Sequence, residues 1–247
     1  MSDWLSRTEL LLGEDGLKSL KTSNVLIVGL GGVGAFAAEM ICRAGVGRMT
    51  IVDGDSIHSS NRNRQLLALK SNEGKSKAML MAQRLKDINP ELELKAVYEY
   101  LKDDKITEIL DSDFSYVVDA IDTLSPKVFL IYNAMLKKIP VVSSMGSGGK
   151  FDPERVFISD ISETKNCTLA RILRKRLHKL GIREGVTAVY SPEVVDKRKV
   201  VTVTGEKNKV SVVGTISYMP AAFGIVCASV VIRDIAGIGR NAGTKPI

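Results

Sequence analysis

The chain has 247 residues, 45% of them hydrophobic and 26% charged, with 35 Lys+Arg against 28 Asp+Glu. Those proportions exclude a disordered, collagenous or disulfide-scaffold protein. The formal net charge of +7 points to a polyanionic partner without saying where on the surface it would bind.

In chain order, short apolar runs alternate with helical patterns. Residues 24–28, 49–52, 94–98, 116–121 and 139–143 are rich in Val, Ile or aromatics and read as strands covered on both faces. Residues 33–44, 75–88 and 126–137 carry apolar side chains at helical spacing, such as Met81, Leu85 and Ile88. The alternation predicts an α/β, Rossmann-like, doubly wound and mostly parallel sheet with helices on both faces. After Gly146 the pattern weakens into a smaller irregular or antiparallel extension, with a basic helix and β-like runs at 186–190 and 200–204. We expect one domain over residues 1–247, comprising a nucleotide core (1–145) and an extension (146–247) that also returns a last strand and helix to the core.

Residues 210–232 carry no charge, a stretch longer than the roughly 20 residues a membrane span needs. Its composition changes midway, from β-branched residues broken by Gly214 to a helix with Pro220 in its first turn. A buried strand, a turn and a buried helix fit it better than a span, whose backbone cannot change type in lipid. Cys42, Cys167 and Cys227 are far apart and form no CxxC, so neither a disulfide framework nor zinc is expected, which fits a reducing, cytoplasmic compartment. Residues 1–7 lack a basic then apolar run, so no signal peptide is expected.

The first strand enters Gly29-Leu-Gly-Gly-Val-Gly34 at the start of a helix, and Asp53 closes the second strand. Gly29, Gly31, Gly32 and Gly34 allow a tight turn and close approach of phosphates to the helix N-terminus, and Asp53 stands where an acid accepts hydrogen bonds from a ribose. This spacing alone favours NAD. The loop Asn61-Arg-Asn-Arg-Gln65 and Lys75 and Lys77 then add cations that a triphosphate with a leaving pyrophosphate needs. Asp119 and Asp122, after the fourth strand, offer hard oxygen ligands for Mg²⁺. Taken singly, Arg62 and Arg64 read equally well as a solvated loop and Asp122 as a helix cap. His58, beside this loop, is a weaker candidate for phosphate or substrate contact.

These segments, with Asp53-Gly-Asp55 and Gly74 to Lys77, resemble the adenylating core of the ubiquitin-activating-enzyme-like superfamily, which includes the thiamine and molybdopterin sulfur-carrier adenylyltransferases. The resemblance covers roughly residues 5 to 145. It implies that Asp53 and Asp55, Asn61, Arg64, Gln65 and Lys77 line an ATP site and that Asp122 holds Mg²⁺. It also implies that Arg7 reaches across a homodimer to the partner's ATP, with Arg64, Lys77 and Asp122 as the other catalytic residues. The carrier-activating branch usually has two CxxC pairs for zinc, absent here. Asp119-Ala-Ile-Asp-Thr, residues 139–153 and Tyr190-Ser-Pro-Glu193 instead resemble the tRNA threonylcarbamoyladenosine dehydratase family. Some members carry a cysteine just before the segment matching Tyr190, where this chain has Thr187-Ala-Val.

That resemblance implies ATP-dependent adenylation of a carboxylate on a modified tRNA adenosine, then ring closure within the side chain and net loss of water. The alternative is activation of the C-terminus of a small sulfur-carrier protein. The three cysteines then read as packing residues, while a sulfur-transfer partner and a monovalent cation near residues 146–149 stay open. Residues 165–183 contain seven Lys+Arg and no acid, so the rest of the chain is formally neutral. Leu169, Ile172, Leu173, Leu177 and Leu180 form an apolar stripe there, leaving Arg171, Arg174, Lys175, His178 and Lys179 for solvent, a membrane surface or RNA phosphates. With the resemblance, Arg171, Arg174, Lys175 and Lys179 are the expected tRNA contacts and a membrane is not.

Overall fold

The computed structural model describes residues 3–102, 104–202 and 211–239. Seven strands form one sheet in the order β3-β2-β1-β4-β5-β7-β6. They are β1 (Asn24–Val28), β2 (Arg48–Val52), β3 (Glu93–Val97), β4 (Tyr116–Asp119), β5 (Val141–Ser144), β6 (Phe157–Asp160) and β7 (Thr187–Tyr190). All neighbours run parallel except β6, which pairs antiparallel with β7 at the edge. The antiparallel part of the extension thus includes an edge strand that the sequence pattern does not announce. A separate antiparallel pair joins β8 (Val200–Thr202) to β9 (Ser211–Val213). Residues 203–204 of the expected 200–204 run lie outside the described residues.

The strands alternate their side chains between two cores. Val25 and Ile27 of β1, Met49 and Ile51 of β2, and Val118 of β4 face one core. Leu26 and Val28, Val52 and Val117 face the other. A period of two with apolar residues on both faces is what a sheet sandwiched between helices requires. On the first face lie α1 (Ser6–Thr22, kinked at Gly13), α2 (Gly34–Arg43), α3 (Lys77–Ile88) and α7 (Tyr218–Ile235). On the second lie α4 (Asp104–Ile109), α5 (Leu124–Leu136) and α6 (Thr168–Lys179).

Element ends differ from the sequence reading for local reasons. The Ile139 N–H closes α5 by donating to the Ala134 carbonyl at 2.9 Å, and Pro140 has no N–H, so β5 starts at Val141. Ser76 caps α3, its hydroxyl accepting from the Met79 N–H at 3.4 Å, so the helix begins at Lys77. The described part of the uncharged stretch, from residue 211, divides into β9, a turn and α7, but β9 pairs only with β8 outside the seven-stranded sheet, so the helix returns to the core and the expected core strand does not. By length and composition α7 could cross a membrane, but Met219, Phe223, Cys227, Ala228, Val230 and Val231 are buried in the protein core. A Cβ on Gly224 would run into the Val33 carbonyl, so this glycine is what lets α7 close onto α2.

A buried acid ties α2 to α3. Glu39 is buried and accepts from Arg43 at 2.9 Å and from Arg84 Nε at 2.5 Å. Burial pushes its carboxyl up, but the Arg84 and Arg43 guanidiniums outweigh this and hold it below the usual carboxylate value. A depressed folded-state pKa contributes stability above the unfolded value and loses it as pH falls through the folded one. Glu39→Gln should therefore cost about 1–3 kcal/mol at neutral pH. In urea unfolding series the gap between wild type and variant should close as pH is lowered from about 6 to about 3; a gap that is constant with pH would contradict the ion-pair assignment.

Candidate active site

Strand order reverses between β1 and β4, and the crevice at the carboxyl ends of such strands is where ligands bind in doubly wound sheets. The turn from β1 into α2 is built on very close packing. Gly29 has φ +91°, a left-handed value that favours glycine, and its Cβ would lie 2.6 Å from the Ala120 carbonyl oxygen. A Cβ on Gly34 would collide with the Gly29 carbonyl, and one on Gly32 would lie 2.8 Å from the Pro220 side chain. Three of the four glycines are thus demanded by protein packing. Gly31 differs: its Cβ would meet only the Gln65 amide nitrogen, at 3.7 Å, so this is where the backbone is open to an approaching phosphate.

Asp53 directly follows β2, beside this turn. Its Oδ2 accepts the Leu30 N–H at 2.6 Å and its Oδ1 the Asp55 N–H at 2.7 Å. Burial raises its pKa, against the pull of Lys77 and of these two N–H groups. The carboxylate therefore braces the turn between β1 and α2. Lys77, at 4% exposure, donates to Asp55 Oδ2 at 2.9 Å. Tyr100 also donates to Asp55, and this hydrogen bond, with burial, pushes the phenol up to about 12, so it keeps its proton. Asp55 is thus a holder of Lys77 more than an open nucleotide ligand. Tyr100, which is 45 residues away in sequence, carries no motif that points to this role.

The arginine loop is equally well braced. Asn61 is buried and its Oδ1 accepts the His58 N–H at 3.1 Å, so much of its amide serves the loop. Arg64 donates to the Ser60 carbonyl at 2.9 Å and to Asn63 Oδ1 at 2.8 Å, while Asn63 donates to the Thr215 carbonyl at 3.1 Å. This last bond joins the loop to the segment after β9. Gln65 has a buried Oε1 without a hydrogen-bond partner among the described residues, beside open Gly31.

The two aspartates after β4 separate. Asp119 is fully buried, paired with fully buried Lys127 at 2.8 Å and accepting the Ser143 hydroxyl at 2.6 Å. It is therefore no ligand for Mg²⁺, correcting the sequence reading, and its side chain draws Ile121 out of the strand by accepting that residue's N–H at 3.1 Å. Asp122 is exposed at the edge of the crevice. Among the described residues no group of three or more His, Cys, Asp or Glu side chains stands ready to hold a metal ion. Mg²⁺ usually needs only one or two carboxylates plus phosphate oxygens and water, which Asp122 and a bound triphosphate fit. Arg7 lies exposed in the first turn of α1 and makes no hydrogen bond or ion pair among the described residues. Burial pushes the Cys42 thiol up to about 11 and the Cys227 thiol to about 12, which suits packing and not nucleophilic attack.

The basic helix is α6. Its buried face is Ala170, Leu173 and Leu177, whereas Ile172 and Leu180 of the expected stripe are exposed. Arg171, Lys175 and Lys179 face solvent. Arg174 does not: it is half-buried and donates to the Ile161 carbonyl at 3.1 Å and to the Thr164 carbonyl at 2.8 Å, stapling α6 to the turn before it. Its assignment to tRNA is corrected on that ground. Arg176 donates to the Ser125 hydroxyl at 3.0 Å, three residues beyond Asp122, so the basic helix abuts the crevice mouth.

The model of the ThiF family matches residues 5–246. The tRNA threonylcarbamoyladenosine dehydratase of Bacillus subtilis is 44% identical over 188 residues, covering 76% of this chain and 74% of that protein. The Escherichia coli tRNA N6-threonylcarbamoyladenosine dehydratase in complex with ATP superposes with a TM-score of 0.87 at 32% identity, over 98% of this chain and 99% of the other, and its AMP complex with a TM-score of 0.86. The molybdopterin-synthase adenylyltransferase of Salmonella typhimurium is 34% identical over 129 residues, covering 52% of this chain and 51% of that protein. The chain belongs to the ThiF family and, within it, to the tRNA threonylcarbamoyladenosine dehydratases.

Proposed function

We propose that the chain uses ATP to cyclise threonylcarbamoyl-adenosine in tRNA, by adenylating its carboxylate and closing a ring within the modified side chain. The observation that carries this reading is the open Gly31 turn, with the Arg64 main chain packed beside Gly32 and Lys77 held on Asp55, in a chain that matches over 98% of its length a tRNA N6-threonylcarbamoyladenosine dehydratase seen with ATP, and one seen with AMP. A sulfur-carrier adenylyltransferase shares only about half of its length with this chain, and the basic α6 serves an RNA better than a carrier protein.

The steps follow from the chain's own groups. Asp53 accepts from the ribose while bracing the turn, and Gly31 and the α2 N-terminus receive the phosphates. Lys77 and Arg64 stabilise negative charge on the leaving pyrophosphate. Asp122 holds Mg²⁺, which when bound neutralises phosphate charge. A carboxylate oxygen of the substrate attacks the α-phosphorus and pyrophosphate departs, leaving an acyl-adenylate. A nucleophile in the same side chain then attacks the activated carbonyl, loses its proton and expels AMP. Because nucleophile and electrophile share one substrate, proximity replaces an enzyme thiol. Residues 1–145 and 146–247 act as one unit, and a homodimer brings Arg7 to the partner's ATP. Leu10 and Leu11, exposed beside Arg7, support an apolar seam there. The reaction belongs in the reducing cytoplasm, with Arg171, Lys175 and Lys179 on the RNA backbone.

With ATP, Mg²⁺ and modified tRNA the protein should release AMP and pyrophosphate, and Asp122→Ala should slow this by about 10²-fold or more. Release driven by a carrier-protein C-terminus and not by tRNA would contradict the reading. Replacing Arg171, Lys175 and Lys179 together by Ala should weaken tRNA binding and flatten its salt dependence by about 2–3 logarithmic units per decade. ATP affinity, titrated separately, should stay within about twofold, because α6 is outside the nucleotide crevice.

A further inference from the structure

We propose that Lys127 is a positioning residue for the adenylation step, acting through the main chain of Ile121 to set the place of Asp122. This rests on the reading above that Asp122 holds Mg²⁺. Lys127 and Asp119 are both fully buried, so neither touches nucleotide or metal. Their bonds converge on one peptide turn. Lys127 donates to the Ile121 carbonyl at 3.0 Å, and the Ile121 N–H donates to Asp119 Oδ1 at 3.1 Å. Asp119 is fixed in turn by Ser143 from β5. Both main-chain polar groups of the residue before Asp122 are therefore held by side chains that cannot reach solvent. The same turn is locked to the phosphate loop, because the Ala120 N–H donates to the Val28 carbonyl at 2.9 Å and Gly29 packs on the Ala120 carbonyl.

Stability alone does not call for this arrangement. A buried ion pair roughly breaks even against well-packed neutral side chains of similar volume, so its presence is weak evidence for a stabilising role. Its geometry is what neutral side chains would lose: the Ile121–Asp122 peptide would keep its packing but not its orientation. Residues that orient a metal ligand without touching the metal typically cost about 10–100-fold in metal affinity or activity when removed.

The test is the double variant Asp119→Asn, Lys127→Met, which removes both charges and avoids a lone buried ion. Calorimetric titration of ATP, with Mg²⁺ and with a chelator, gives the factor by which Mg²⁺ tightens ATP binding. The proposal expects wild-type ATP affinity in chelator, a lost or much reduced Mg²⁺ factor, and AMP release slower by about 10–100-fold. A folded double variant with a wild-type Mg²⁺ factor, while Asp122→Ala loses it, would overturn the role of Lys127 and leave the Asp122 reading intact. If Asp122→Ala itself keeps the factor, the Asp122 reading fails, and this proposal with it. Should the double variant not fold, Ser143→Ala keeps both charges and frees Asp119; it should reduce the same factor, and an unchanged factor would count against the proposal.

Discussion

Everything at the site depends on how closely α2 is allowed to start behind β1. No side chain fits at Gly34, because its Cβ would occupy the place of the Gly29 carbonyl, and none fits at Gly29 against Ala120. Removing those two Cβ atoms lets the helix begin at the strand end, so its N–H groups and its dipole point into the crevice where strand order reverses. Gly32 continues the same packing onto Pro220 of α7, which ties the last helix of the chain to the first nucleotide-binding turn. In the proposed reading, a phosphate site made in this way would be set by packing before any ligand arrives, and preorganisation is what electrostatic stabilisation of a transition state requires.

Around that turn the charges are arranged in layers. Asp53 braces the loop, Asp55 and Tyr100 hold Lys77, and Asp119 with Lys127 holds the turn before Asp122. Lys77 is presented on a nearly buried stem with a carboxylate partner, so in the proposed reading a phosphate would exchange with Asp55 and the lysine would need little ordering of its own. The outer layer is the segment 165–183 that contains α6, whose seven cations account for the formal excess of the whole chain. The Arg176–Ser125 bond joins that layer to the crevice mouth, which gives a polyanion bound on α6 a short route to the adenylating edge.

The sequence made some of this plain and hid the rest. Strand–helix alternation in the first 145 residues, the position of the phosphate turn and the split of residues 210–232 followed from periodicity, glycine spacing and Pro220, because these signals are local. The pairings that set the site are not local. Lys127 lies in an unremarkable helix, and nothing near it says that its charge is buried against Asp119. Tyr100 follows an edge strand and bonds to an acid far back in the chain. Arg174 has the same residue type and helical setting as Arg171, yet one staples a turn and the other meets solvent, a difference decided by the neighbouring Ile161 and Thr164 carbonyls. Strand β6 carries little signal in the sequence because Phe-Ile-Ser-Asp is short and lies at the sheet edge.

The central claim is that a carboxylate oxygen of the tRNA side chain becomes bonded to the α-phosphorus of ATP. Labelling that carboxylate with oxygen-18 and measuring the mass of the AMP formed tests it directly. Adenylation followed by ring closure leaves one labelled oxygen in AMP, in step with loss of one water from the tRNA adenosine. Unlabelled AMP, or label recovered in inorganic phosphate, would contradict the account.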